Sequence, residues 1–269
     1  MNRPFVVVLS LALVFGVAFG ADQTTQKRSD QRAQLQVTPE FSAAENAVEE
    51  LRGTPATDPE SQARLQQARA VFQAALDQFP ESTLALNYLA RTYSFPGQDM
   101  ALGIATFEKS LAIDPNQADA IVGLVALCLD AGLRSKAAEV QARLVKGSAN
   151  PELAARVERL IALWDGKEGQ RLIREGHSDQ GFALIDKAIQ DSSDPSVQQD
   201  LREMRSAVSR EWEVSTYNTA LEKAKAGDYR GSWNILEKLL KVAKEPEVVE
   251  RAKRLREKIK AAVQPGTSN

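Results

Sequence analysis

The sequence predicts an all-α fold, an array of stacked helix–turn–helix pairs closed by a C-terminal capping helix. Three observations predict it. From Thr38 onward apolar residues recur at spacings of three and four, and no segment shows the sustained alternation and β-branched enrichment of a strand. Five prolines, Pro80, Pro115, Pro151, Pro195 and Pro246, stand 35, 36, 44 and 51 residues apart. Four glycines, Gly97, Gly132, Gly176 and Gly227, fall 18 or 19 residues before the last four of those prolines. Each proline follows one helical run and suits the first turn of the next, where its missing N–H costs nothing. Asp114, Asn150 and Asp194 precede three of them and can cap the new helix. Each glycine would end the first helix of a pair in a left-handed cap. Two punctuation marks per unit mean one helix pair per unit, and periods of this size mark helical repeat arrays.

The chain of 269 residues opens on an address. Arg3 is followed by the 15-residue apolar stretch Phe5–Phe19, and Ala18 and Gly20 then form a small-residue cleavage site ahead of Ala21. A charged start, an apolar middle and a small-residue exit describe a secretory signal peptide over residues 1–20. The alternative is a retained anchor, although the stretch is shorter than the roughly 20 residues that span a bilayer. The expected location is therefore exported, in a bacterial periplasm, with inner-membrane anchoring as the alternative. Residues 21–37 are polar and Gln-rich and cannot bury enough surface to offset their ordering entropy, so they read as a disordered linker. Residues 264–269 read as a similar tail, which leaves 38–263 for the repeat domain.

Within that domain the units follow in order. Ala68, Phe72, Ala75 and Pro80 mark the second helix of a first pair. Leu86, Leu89, Ala90 and Tyr93 mark the next first helix, Gly97 its turn, and Gly103, Phe107 and Pro115 the helix that returns. Ile121, Leu124, Gly132 and Ala137 continue the pattern without the aromatic positions. Further on, Glu175–Pro195 aligns with Ala226–Pro246 at an offset of 51, each keeping a glycine, a small residue (Gly181, Ser232) and an aliphatic anchor (Ile185, Leu236). The extra length lies between proline and glycine, which makes first helices of about 24 and 31 residues. The run Glu247–Val263 places Val248, Val249, Ala252, Leu255 and Ile259 at helical spacing against a charged opposite face, as a cap requires.

The segment Ala68–Pro115 resembles a tetratricopeptide repeat, a match that extends more loosely to Pro151. Ser110 replaces the usual small alanine, and the loop SFPG is one residue too long. The resemblance implies a right-handed α-solenoid of about five helix pairs plus the cap, with small residues at 90, 103 and 137 letting helices approach closely. It also implies that first helices line a concave groove holding a peptide or protein. The groove-facing positions would then be Asn87, Arg91 and Ser94, with Gln170, Arg174 and Tyr217 as counterparts in the later units. Asn87 could bond a peptide backbone and Arg91 a carboxylate. Where the family's carboxylate clamp needs Lys and Asn on the neighbouring repeat, Asp119, Val122 and Ala126 stand instead, which argues against a chaperone-tail clamp.

Chemistry is otherwise sparse. Lys and Arg total 34 against 36 Asp and Glu, a net charge of −2 that gives no pointer to nucleic acid. One cysteine, Cys128, excludes a disulfide framework within the chain, and it falls in the apolar run IVGLVALCL as a small buried hydrophobe. With His177 the single histidine, no multi-His metal site is expected, and no cofactor motif of the G-x-G-x-x-G or G-x-x-x-x-G-K-[ST] type occurs. His177 beside Asp179 could be a general base but reads better as an exposed turn residue. Glu49 with Glu50, and Glu247 with Glu250, read as solvated helix faces. Trp164, Trp212 and Trp233 read as packing. Lys241–Lys260 holds eight basic residues against four Glu, and reads as a helix laced by Glu247–Arg251 and Glu250–Arg254 pairs rather than a docking surface. The expectation is a non-enzymatic binding scaffold without cofactor or metal, touching a membrane only if the leader is retained.

Overall fold

A computed structural model describes residues 37–52, 57–147 and 150–263. The expected leader, the tail and all of the polar linker but Val37 lie outside the described residues. Those residues form eleven α-helices and no strand. They are α1 (Pro39–Leu51), α2 (Pro59–Gln78), α3 (Thr83–Thr92), α4 (Met100–Ile113), α5 (Ala118–Asp130) and α6 (Arg134–Gly147). There follow α7 (Pro151–Arg174), α8 (Ser178–Asp191), α9 (Pro195–Lys225), α10 (Tyr229–Val242) and α11 (Pro246–Val263). The two long helices measure 24 and 31 residues, the lengths read from the proline–glycine distance. All four spacing glycines adopt left-handed backbone, with φ of 79°, 73°, 94° and 82°. Gly132, Gly176 and Gly227 end their helices as the punctuation requires, whereas α3 already stops at Thr92 and Gly97 serves the following turn, closed by Gln98 N–H to Phe95 O at 3.2 Å.

The prolines divide into two groups. Pro151, Pro195 and Pro246 open α7, α9 and α11 at the first helical position. Pro80 and Pro115 do not: they stand in turns before α3 and α5, closed by Ser82 N–H to Phe79 O at 3.0 Å and Gln117 N–H to Asp114 O at 3.3 Å. A fixed φ near −65° suits the second position of such a turn as well as a helix start, so composition alone does not separate them. The cap of α3 is accordingly Ser82, whose Oγ accepts from Ala85 N–H. Asp114 does not cap α5; its side chain accepts from Asn116 N–H within the turn.

By contact the chain divides into two compact units, Met1–Ile161 and Ala162–Asn269, with the division inside α7. In the first unit consecutive helices pack from α1 through α6. Phe41, Phe72 and Tyr88 form its aromatic centre, with ring centroids 5.1 Å apart edge-on and 5.5 Å apart stacked, geometries that add to area burial. Close approach of α3 and α4 rests on Gly103, where a Cβ would stand 2.5 Å from Leu127 Cδ2 and 2.9 Å from Tyr93 Cβ. Arg69 of α2 ties down the end of α3, donating to Thr92 O at 2.8 Å and stacking over the Tyr93 ring at 4.5 Å.

In the second unit α9 serves two neighbours in turn. Its first half buries Val197, Leu201 and Val208 against α7 and α8. Its second half places Ala220 in a cluster with Leu236, Leu239 and the α11 residues Val248, Ala252 and Ile259. Gly181 of α8 lies so close to α7 that a Cβ would meet the Gly169 carbonyl oxygen at 2.4 Å. No helix among the described residues is long and apolar enough to cross a membrane.

Candidate functional site

Arg91 is the one residue of α3 that escapes burial. The helix is flanked by α1, α2, α4 and α5, so nearly every side chain faces a neighbour. Asn87, one turn before Arg91 on the same stripe, is 4% exposed, and its Oδ1 has no hydrogen-bond partner. The sequence reading places Asn87 on an open groove; the structure buries it because α3 is covered from four sides. An unsatisfied buried acceptor costs about 1–3 kcal/mol. Ser94 is exposed just beyond the helix end, and its Oγ donates to Arg91 O at 2.7 Å.

The Arg91 guanidinium reaches both ways along the row of first helices. Nη1 meets Glu49 Oε1 of α1 at 2.9 Å, and Nη2 lies 3.6 Å from Asp119 Oδ1 of α5. Its plane sits 5.0 Å from the Tyr88 ring centroid. Arg52, just past α1, pairs with the same Glu49 at 2.9 Å. Burial pushes the Arg52 guanidinium below its ordinary value, Glu49 offsets part of this, and Arg91 pushes further down. Burial likewise lowers Arg156, with Asp119 opposing and Arg91 and Arg52 reinforcing the shift. Three guanidiniums thus share one partly desolvated row with Glu49, Asp119 and Glu152.

Sequence reasoning named Arg91 and Asp119 from the repeat register but missed Glu49, Arg52 and Arg156. Glu49 is not the solvated face it reads as, since it anchors two arginines. Its contact to Arg91 spans 42 positions, and only the stacking of α1 on α3 makes it a neighbour. Glu50 meets Arg64 at 2.5 Å.

In the second unit Arg174 forms a two-pronged pair with Glu211 of α9, with Nε to Oε1 at 3.2 Å and Nη2 to Oε2 at 3.0 Å. Glu211 in turn lines an open depression along α9 with Val214, Asn218 and Glu222. Gln170 is partly buried one turn before Arg174. Tyr217 is partly buried against the cluster of Ala220 and Leu236, so the structure brings Gln170 and Arg174 onto one stripe and sets Tyr217 into the packing.

The remaining candidates have structural surroundings. His177 is exposed in the turn before α8 and gives no side-chain cap. Cys128 is fully buried, and burial pushes its thiol up to about 11. Trp212 packs edge-on to Phe182 at 5.8 Å, and Trp233 lies under Arg256 at 5.8 Å. On α11, Glu247 pairs with Arg251 at 2.6 Å as expected, but Glu250 meets Lys253 at 3.0 Å instead of Arg254. Among the described residues no three His, Cys, Asp or Glu side chains are grouped to hold a metal ion. No family model matches the chain. No curated protein matches it in sequence.

Proposed function

We propose that the protein is a non-enzymatic, exported scaffold that binds a protein or peptide segment along the first-helix row of a tetratricopeptide-like, right-handed α-solenoid. The observation that carries this reading is the Arg91 row. Arg91 joins α1 and α5 through Glu49 and Asp119, while Asn87 beneath it keeps an acceptor without a partner. An acidic segment suits this row, its carboxylate meeting the part-exposed Arg91 guanidinium. The sequential packing of α1 to α6 and the left-handed glycine at each pair's turn support the repeat architecture.

A photo-crosslinking residue placed at the exposed Ser94 tests the assignment in cells. It should trap a partner, and Arg91→Ala should lower the yield about fivefold, a loss of about 1 kcal/mol, with helicity unchanged. Equal yields with and without Arg91 would sink the groove assignment. Export with cleavage after Gly20 predicts a mature chain beginning at Ala21 on N-terminal sequencing. A chain that retains Met1 in the envelope would favour the alternative, a membrane-anchored component of an envelope assembly.

A further inference from the structure

The helices α4 and α6 each pack on α5, and among the described residues their backbones do not approach one another closely. The gap between them is a half-closed cavity of about 470 Å³, within the size range of small-molecule sites. Native interiors leave few voids of this size. Its floor and walls are aliphatic: Leu111, Ile121, Leu124, Val140 and Leu144. Ile121 and Leu124 are 3% exposed, so the floor belongs to the rigid core of the first unit.

The charged rim is uneven. At one end Lys136 Nζ binds Glu108 Oε1 at 2.7 Å, and Glu139 adds a weaker attraction on Lys136. At the other end Arg143 has no acidic partner among the described residues. That end adjoins the start of α5, because α6 runs back along α5 towards Asn116. The start of α5 has no side-chain cap. Gln117 is diverted: its Oε1 accepts from Ser110 Oγ at 2.8 Å and its amide donates to Thr83 Oγ1 at 2.8 Å. The first turn of α5 already carries Asp119, so the group at this end that lacks an acid is the Arg143 guanidinium.

We propose that this cavity binds a linear aliphatic carboxylate, with the alkyl chain on the leucine and isoleucine floor and the carboxylate at Arg143. A polyhydroxylated ligand would leave hydroxyls unpaired against that floor. An alkylammonium would meet Arg143 with the wrong sign.

Decanoate titrated calorimetrically into the full chain tests the site, with decanol and decyltrimethylammonium as neutral and cationic comparisons. Decanoate should bind saturably and more tightly than either. Arg143→Glu, at an exposed position, should weaken decanoate about tenfold and leave decanol unchanged. Ala112→Trp, on the exposed cavity wall, should remove binding of both while circular dichroism stays native. The proposal is overturned by absence of saturable decanoate binding to the unmodified chain, by equal affinity for decyltrimethylammonium, or by undiminished binding in the Ala112→Trp protein.

Discussion

In the first unit the turn from α4 to α5 is tied to α3 by neutral groups. Gln117 bridges Ser110 and Thr83, which are 0% and 2% exposed. In the second unit the turn from α10 to α11 is tied to α9 by a charge. Glu213, 1% exposed, accepts from Lys244 N–H at 3.1 Å, Glu245 N–H at 2.9 Å and Ser209 Oγ at 3.3 Å. Both contacts do one job, fixing where the next helix starts relative to the preceding first helix. The chemistry differs because the targets differ. Two side-chain hydroxyls are matched by an amide, which donates and accepts. Two backbone N–H groups at the start of α11 need an acceptor, and a carboxylate there also meets the positive helix end. A buried charge is tolerated only when so surrounded, so the second unit should be the more fragile at its tie.

Two intrinsic probes separate the units. Trp164, Trp212 and Trp233 all lie in Ala162–Asn269, while Cys128 lies in Met1–Ile161. With its thiol pushed up to about 11 and fully buried, Cys128 should resist alkylation at pH 8 until the first unit opens. Glu213→Leu should produce the largest effect, about 3–5 kcal/mol, by removing the charged acceptor shared by the Lys244 and Glu245 N–H groups. Gln117→Leu should cost about 1–2 kcal/mol, since hydroxyls can turn to other acceptors. In urea titrations Glu213→Leu should move the tryptophan-fluorescence midpoint more than the Cys128-labelling midpoint, and Gln117→Leu the reverse. Equal shifts of both probes in both variants would erase the contrast.

A smaller difference is expected at the close helix contacts. An alanine at Gly181 would drive its Cβ into the Gly169 carbonyl and the Ile173 backbone, at 2.4 and 3.0 Å. Backbone cannot yield, so about 2–3 kcal/mol should be lost. At Gly103 the nearest atom is the end of the Leu127 side chain at 2.5 Å, which can turn aside, while the fixed Tyr93 Cβ stands farther off at 2.9 Å, and about 1–2 kcal/mol should be lost. The ratio of the two losses in urea unfolding measures how much more tightly α7 and α8 approach than α3 and α4.

The smallest effect is acid sensitivity at the caps, where the units should behave alike. The Ser61 backbone N–H holds the Asp58 carboxyl below the ordinary carboxylate range. Asp228 is held low chiefly by Lys223, with the Gly231 N–H adding to it. A lowered folded-state value gives stability that is full above the unfolded value, near pH 4, and lost as pH falls through the folded one. Both midpoints should therefore be flat from pH 7 to 5 and decline together below about pH 4. A decline in one probe alone would show that the caps are unequal.

The helices were legible in the sequence because their causes are local. Gly132, Gly176 and Gly227 end helices, since left-handed backbone excludes most side chains. The lengths of α7 and α9 followed from counting between proline and glycine. The small residues Gly103, Gly181 and Ser232 announced close approach, and Ser232, 0% exposed, donates its Oγ to Ala220 O at 2.7 Å. What a residue faces after helices stack is not local. Asn87 has the composition of an accessible binding residue, yet neighbours on four sides bury it. Glu49 and Glu213 lie in amphipathic runs like many solvated glutamates, and only partners 42 and 31 positions away distinguish them. Periodicity and punctuation therefore determined the all-α class and most helix boundaries, though not the starts of α3 and α5 or the end of α3, because dihedral limits act within a turn. The charged row at Arg91, the carboxylate tie at Glu213 and the cavity beside α5 were decided by tertiary packing, because desolvation and pairing depend on which helices come to lie side by side.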